Sequence, residues 1–491
     1  MDILFIHPNA SKEIYQELSH EFSAVEPPIW AALLAKACHK KGYGVELMDC
    51  EALHMDDSLA IHHMKAMKPR IACFVVYGQQ PSASSQNMEG ALRLAEKVRQ
   101  ELPEIKILFV GGHVSALTRE LLETRPYVDF ACQSEGVYTI LDLLRIAKLN
   151  DQAQLSDVKG LAWRADGIVV LNAPSVNVPR EQLEADLPGM FWDLLPMKQY
   201  RTALWHALPN NAQRQPFAAL YTSLGCPYAC TFCCINAPFG GSSFRYWNPE
   251  FIIKEFDVLA NMGIKNVKIA DEMFVMNPAH FMRLCELIIE RGYKFNIWAY
   301  ARVDITKPQY LETLKKAGVN WLALGIESGN KSVRKGVIKG RFDDVDIKSV
   351  VESIRLAGIN VIGNYIFGLP DDNFETMQET LDLALEMNTE EANFYSAMAY
   401  PGSKLYKEAK ESGMELPQTF DAYSQHSYNC TPMATKHLSA GQVLAFRDMA
   451  WQRYHTNSAY LDMVKSKFGE TAYNDTVRST KIRLKRRLLG D

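Results

Sequence analysis

At 491 residues the chain is too long for one ordinary core, and its 47% hydrophobic and 22% charged residues suit a globular protein of two or three domains. The net charge of −4 leaves no overall basic footprint, which argues against nucleic acid as a partner. The opening MDILFIHPNA lacks the basic and apolar regions of a secretory signal, and no run of about 18 apolar residues offers a membrane span, so a cytoplasmic protein is expected.

The first stretch alternates apolar runs with helical patterns. ILFIHP at 3–8 reads as a buried strand, and IWAALLAKACHKKG, after Pro27 and Pro28, as a helix closed by Gly42. GVELMDC, RIACFVVYG and KILFVGG read as further strands with helices between them, which implies a parallel sheet covered on both faces. Ligands of such sheets bind at the strand carboxyl ends, here His7-Pro8-Asn9, Gly78-Gln79-Gln80 and Gly111-Gly112-His113. From 157 to 211 the pattern weakens and prolines return; LAWRADGIVVL reads as a small hairpin turning at Asp166-Gly167. A second strand–helix series begins with AALYTSLG at 218–225 and continues through NVKIAD, KFNIWAY, NWLALGIE, NVIGNYIFG and ANFYSAM, enough for a partial barrel. Beyond Gly402 the sequence is helix-rich. Its basic tail (Lys481, Arg483, Lys485, Arg486, Arg487) reads as a solvated helix end.

The ten cysteines divide into six scattered singly and four gathered between Cys226 and Cys234, as in a reducing compartment with one metal site. The loop SLGCPYACTFCCINAPFGG follows the first strand of the second series and spaces its thiols as Cys226-x3-Cys230-x2-Cys233, with Cys234 directly after. Three thiolates on a short loop wrap one face of a four-iron cluster and leave one iron open to a small chelating ligand. Zinc is the rival reading. A structural zinc takes four closed ligands, commonly as two pairs, and Cys285 and Cys430 stand alone.

This spacing, with Phe232 just before the third cysteine, resembles the signature of the radical S-adenosylmethionine (SAM) superfamily. The resemblance implies a [4Fe-4S] cluster on Cys226, Cys230 and Cys233 whose open iron is chelated by SAM. It implies reductive cleavage of SAM to a 5′-deoxyadenosyl radical that abstracts a substrate hydrogen, with an electron donor of flavodoxin or ferredoxin type. It also implies SAM contacts at the strand carboxyl ends. Asp271 and Glu272 end the second strand and would meet the amino group, and Arg302 follows the third and would meet the carboxylate as a fork. Glu327 or Ser328, in GIESG, would face the ribose or methionine moiety. Gly363, Ile366 and Gly368, in GNYIFGLP, would lie beside adenine, with Asp372 just after. Phe232 belongs to the same set, and YPGS at 400–403 resembles a common sixth-strand ending.

The stretch from KILFVGG to the helix after SEGV resembles the second half of a cobalamin-binding (B12-binding) domain, with Gly111-Gly112, Asp129 and Ser134-Glu135-Gly136-Val137 in the family's places. Possible cobalamin contacts on that basis are Ser82, Ser84, Gly111, Gly112, Glu135 and Gly136, small residues letting a bulky ligand approach the backbone. The Asp-x-His-x-x-Gly signature is missing, so no histidine of this domain is expected on cobalt. An empty domain of the same fold is the other reading.

The fold class that follows is α/β: a Rossmann-like B12-binding-type domain over 1–150, a linker with a small hairpin over 151–214, a partial (β/α)6 TIM-type barrel over 215–405, and a helical C-terminal region over 406–491. The expected activity is hydrogen abstraction from a small, hydroxyl-rich, sugar-like substrate, as in a dehydratase or deoxygenase. The alternatives are a cobalamin-dependent radical C-methyltransferase and a non-enzymatic iron–sulfur sensor. Cys226-x3-Cys230-x3-Cys234 is an alternative ligand set, a pattern seen in one deoxygenase group. No proton donor stands out, although Tyr423, His426, Tyr428, Tyr454 and His455 are candidates to line a substrate pocket.

Overall fold

The computed structural model describes residues 1–19, 21–78, 83–208, 214–337 and 345–491. The first sheet holds β1 (Ile3–His7), β2 (Val45–Asp49), β3 (Ile71–Val76), β4 (Lys106–Gly111), β5 (Phe130–Cys132), β6 (Leu161–Ala165) and β7 (Ile168–Leu171). Their order is β2-β1-β3-β4-β5-β6-β7, parallel through β5 and antiparallel for the last two pairs. Alternate residues feed opposite faces because side chains switch sides at every step of a strand. Ile3, Phe5, Cys73, Val75, Leu108 and Val110 pack toward the helices Ile29–Lys40 and Val137–Arg145, whereas Leu4, Ile6, Phe74, Val76 and Phe109 pack toward Asp57–Met67 and Ala83–Glu101. Burial on both faces is why these strands read as unbroken apolar runs.

The hairpin extends this sheet instead of standing in a separate linker. β6 pairs antiparallel with β5, Ala131 opposite Ala162 and Cys132 opposite Leu161. Asp166 and Gly167 both take positive φ, 48° and 84°, the backbone a two-residue hairpin turn requires.

The second sheet holds β8 (Phe217–Leu220), β11 (Asn266–Ile269), β12 (Asn296–Arg302), β13 (Val319–Glu327), β14 (Asn360–Phe367) and β15 (Glu391–Ser396); β9 (Ser223–Leu224) and β10 (Arg245–Tyr246) form a separate ribbon. All six strands are parallel and neighbours in chain order, so among the described residues the sheet is an open barrel with β8 and β15 at its edges. Helices Pro249–Asn261 and Pro278–Glu290 start where the sequence says they must. Proline occupies the first turn, and the side chains of Asn248 and Asn277 accept from the backbone N–H groups of Glu250 and His280.

The barrel interior is walled in part by distant chain. Glu26 reaches the buried Lys268 of β11 at 2.7 Å, Val25 and Arg201 pair as a backbone bridge, and His206 Nε2 bonds the carbonyl of Asn296 at 2.9 Å. The same N-terminal stretch is tied to the far end of the chain, Ser424 Oγ donating to the carbonyl of Ile14 and Gln16 Nε2 to that of His426. The basic tail is not a solvated helix end. Residues 481–486 are non-helical, and Arg486, 1% exposed, donates to the carbonyls of Ser427 and Gln425 and to Asp448.

No helix among the described residues is long and apolar enough to cross a membrane.

Candidate active site

The cysteine loop leaves the ribbon strand β9 through Gly225, whose φ is +82° and where a Cβ would come within 2.6 Å of the Ser243 carbonyl. The loop is pinned by backbone bonds at Thr231, which donates to the Val337 carbonyl and accepts from Leu405 N. Cys226, Cys230 and Cys233 are partly exposed thiols, none in a disulfide, lining one open-mouthed cavity of about 1360 Å³. Burial pushes the Cys226 thiol up to about 11 and the Cys233 thiol higher still, and both feel the charge of Cys230. Cys234 is buried but touches the same cavity. Among the described residues no three His, Cys, Asp or Glu side chains converge as they would around a single ion. Three thiols of one short loop lining one cavity suit the separate irons of a cubane cluster, with one iron left open.

Only some of the expected SAM residues face this cavity. Glu272, Arg302, Glu327 and Ile366 line it, together with Phe232 from the loop. Asp271 points the other way: fully buried, it accepts from Thr222 N, Thr222 Oγ1 and Ser223 Oγ, each at 2.6 Å. Ser328 lies behind the wall with its hydroxyl 3.1 Å from that of Thr380. Gly363 and Gly368 also stay outside the cavity, Gly368 N donating to Asp372 at 3.0 Å. The cavity adds residues the motifs did not flag, among them Tyr221, Tyr300, Asn364, Tyr395 and Gln425. Tyr300 and Asn364 share the parity of Arg302 and Ile366, so the alternation of β12 and β14 already marked them.

Three local features tune the cavity. Glu272 accepts from Gly225 N at 3.1 Å, and burial raises its carboxyl to about 8. Arg302 turns its fork onto Asp304, Nε and Nη2 each at 2.9 Å, with its guanidinium 3.9 Å from the Tyr228 ring centre. Glu327 sits at φ +67°, where the β13–β14 register shifts. A non-glycine residue pays roughly 1–3 kcal/mol for such a backbone, and here the strain re-aims a carboxylate into the cavity.

The first sheet contributes a second site. At the carboxyl ends of β1 and β3, where the strand order reverses, a cavity of about 600 Å³ is lined by His7, Trp30, Tyr77, Gly78, Ala83 and Asn87. Two buried polar atoms there, His7 Nδ1 and the Tyr77 hydroxyl, have no hydrogen-bond partner among the described residues. Such orphans cost about 1–3 kcal/mol unless a ligand satisfies them, so the site suits a polar ligand such as the edge of a corrinoid. Of the residues expected to touch cobalamin, Gly112 lines the adjoining cavity of about 400 Å³. Ser82 lies outside the described residues. Ser84 is engaged inside the domain, donating to the Val76 carbonyl and accepting from His113 N. Gly111 packs on β3, where a Cβ would meet the Val76 carbonyl at 2.1 Å, and Gly136 caps the helix Val137–Arg145. Glu135 forms a buried pair with Arg245 of β10 at 2.7 Å and so ties the first domain to the β9–β10 ribbon.

The two sites lie side by side, with a small cavity between them. The small cavity shares Tyr221, Cys234, Ile235 and Glu272 with the cysteine cavity, and Trp30, Tyr77, Gly78 and Tyr221 with the switch-point cavity.

Comparison with known proteins agrees with this arrangement. The sequence model of the radical SAM superfamily matches residues 220–384, and that of the B12 binding domain residues 18–144. The chain is 24% identical over 444 residues to an uncharacterized methyltransferase of Pyrococcus horikoshii, covering 90% of both. It is also 24% identical to the anaerobic magnesium-protoporphyrin IX monomethyl ester cyclase of Cereibacter sphaeroides, over 94% of this chain and 71% of that one. The radical SAM methyltransferase TsrM of Kitasatospora setae, solved with cobalamin and a [4Fe-4S] cluster, superposes with a TM-score of 0.69 at 14% identity, over 98% of this chain and 99% of that one. With the cysteine loop at a barrel mouth and a switch-point cavity beside it, the chain carries a radical SAM domain preceded by a B12-binding domain and is a radical SAM enzyme.

Proposed function

We propose that the protein is a cobalamin-dependent radical SAM methyltransferase acting on a small-molecule substrate. The observation that carries this reading is the adjacency of the cysteine cavity and the switch-point cavity, which share Tyr221 and flank one small cavity between them. A dehydratase working on a sugar-like substrate needs the cysteine cavity alone, so the hydroxyl-rich substrate expected from sequence gives way to methyl transfer. The methyltransferases among the relatives support the same choice.

When bound, the reduced cluster supplies one electron for SAM cleavage and the corrinoid supplies a methyl group. The chain's own residues do the rest. Cys226, Cys230 and Cys233 hold the cluster. Glu272, near neutral pH able to hold or release a proton, accepts from the SAM amino group, while Glu327 and the β14 edge at Asn364 and Ile366 position the remainder. Arg302 meets the SAM carboxylate with whatever part of its fork Asp304 yields. Tyr77 and His7 hold the corrinoid with their orphaned polar atoms, and Trp30, 5.1 Å from the Tyr77 ring, forms a flat wall. Tyr221 separates the two sites and excludes water between them. The electron arrives from a flavodoxin- or ferredoxin-type donor.

The test is anaerobic purification with iron and cobalamin supplied, then SAM turnover under dithionite. Methyl transfer predicts bound corrinoid and two products of SAM, S-adenosylhomocysteine from recharging the corrinoid and 5′-deoxyadenosine from cleavage. 5′-Deoxyadenosine alone, from protein that retains no corrinoid, would overturn the reading in favour of corrinoid-free chemistry.

A further inference from the structure

Beneath the cysteine cavity lies a third chamber of about 1270 Å³ that the proposed cofactors leave unassigned. It shares Tyr300, Tyr395, Tyr400 and Gln425 with the cysteine cavity, and Tyr15, Glu26 and Gln86 with the switch-point cavity, so it adjoins both. Aromatic rings stand among its polar lining residues: Phe22 from the N-terminal segment, Trp205 from the connecting region, Trp298 and Tyr300 from β12, Tyr395 from β15, and Trp451 from the helix Ala440–His455. Flat aromatic walls favour a flat apolar guest through stacked and edge-on contacts.

Charge in the chamber is unevenly matched. Lys268 is paired with Glu26 at 2.7 Å and lies 4.7 Å from the Trp298 ring centre, so that end is neutral. At the other end Arg447, 6% exposed, gives Nε to the Phe394 carbonyl at 2.7 Å and Nη1 to Asp448 at 2.8 Å. Its remaining nitrogen, Nη2, makes no hydrogen bond among the described residues and is not among the sealed polar atoms, so it opens on the chamber it lines. Asp448 also serves Arg486, at 2.9 and 3.0 Å, and is the one carboxylate in reach of either guanidinium among the described residues. Two fixed positive charges thus share one negative charge. His426, on the same wall, is kept neutral, its imidazole lowered to about 3 by burial and by these arginines. Buried arginine with an open nitrogen is an anion receptor.

We infer that this chamber is the substrate site and that it takes a planar aromatic or polycyclic acid, its ring system between the aromatic walls and its carboxylate on Arg447 Nη2. The inference rests on the methyltransferase reading for what happens to the guest, but not for its binding.

The test is equilibrium dialysis of the iron- and corrinoid-loaded protein against aromatic carboxylic acids of one to four fused rings and their carboxamides. At least one acid is expected to bind ten-fold or more tightly than its amide. In Arg447→Gln that preference should fall below three-fold, with iron, corrinoid and melting temperature retained, and Arg447→Lys should keep part of it. No acid bound, equal binding of acid and amide, or an unchanged preference in Arg447→Gln would each overturn the inference. If Arg447→Gln does not fold, the acid–amide comparison on the unmodified protein decides alone. Stronger acid binding to corrinoid-free protein than to loaded protein would assign the chamber to the corrinoid and overturn it as well. Acid preference in a protein that forms no methylated product would sink the methyltransferase reading while leaving the chamber as inferred.

Discussion

Glu135 and Arg245 are 110 residues apart, yet their side chains, 2% and 10% exposed, meet at 2.7 Å where the two domains touch. Glu135 also accepts from Val178 N, Arg245 donates to the Val178 carbonyl, and the Trp30 indole donates to the Glu135 backbone at 3.0 Å. Changing Glu135→Gln keeps the shape but strands the guanidinium in protein. Breaking one side of a buried pair costs about 3–5 kcal/mol, whereas removing both charges is often nearly neutral. At about 2–4 °C per kcal/mol for a domain of this size, the single substitution should lower the melting temperature by roughly 6–20 °C. Arg245→Met should do the same, and Glu135→Gln with Arg245→Met should recover most of the loss. The assay is thermal melting by circular dichroism of all four proteins as a double-mutant cycle. Single losses under about 1 kcal/mol, or effects that add within about 0.5 kcal/mol, would refute the idea that this pair locks the domains.

Three further outcomes are expected. Cys226→Ala, Cys230→Ala and Cys233→Ala should each abolish iron retention and SAM cleavage, whereas Cys234→Ala should keep both; iron loss in Cys234→Ala instead of Cys233→Ala would reassign the ligand set. Tyr77→Phe removes a buried hydroxyl without a partner, so it should stabilise the cofactor-free protein by about 1 kcal/mol while weakening corrinoid retention about ten-fold, two opposite signs read by melting and by absorbance. His206 is held neutral between Thr202 and the Asn296 carbonyl, with burial lowering its imidazole to about 3. A depressed histidine stabilises fully above its unfolded pKa of about 6.5 and loses that contribution as pH falls, at up to about 1.4 kcal/mol per unit. Urea unfolding between pH 6.5 and 5 should therefore steepen less in His206→Gln, and an identical pH slope would exclude the histidine as the cause.

Much of this architecture was legible because it is local. The unbroken apolar runs of β1, β3 and β4 announce strands buried on both faces, and Asp166-Gly167 announces its own turn. The cysteine loop declares its chemistry through spacing. Side-chain direction was legible too, but only by counting. Along β14 adjacent residues point oppositely, Gly363 outward and Asn364 inward, whereas Asp271 and Glu272 lie past the end of β11, where alternation no longer sets direction. What motifs could not reveal are pairings set by tertiary approach. The Asp304 carboxylate on Arg302 is near in sequence, but its orientation depends on Tyr228 stacking above. Glu135 on Arg245 and Glu26 on Lys268 join residues that no spacing rule connects.

The stitching of residues 14–26 to 201, 268 and 424–426 carries a consequence for how the protein comes to be made. A chain emerging from a ribosome can fold the first sheet early, since its strands are neighbours in sequence. The segment that walls the barrel interior, however, has to wait for partners about 400 residues downstream, Ser424 and His426 among them. Until those arrive the barrel stands with its aromatic interior uncovered, a sticky and oxygen-accessible intermediate beside unligated thiols. Covering of that interior is thereby tied to completion of the chain, and a protein truncated before Ser424 would be expected to leave it exposed.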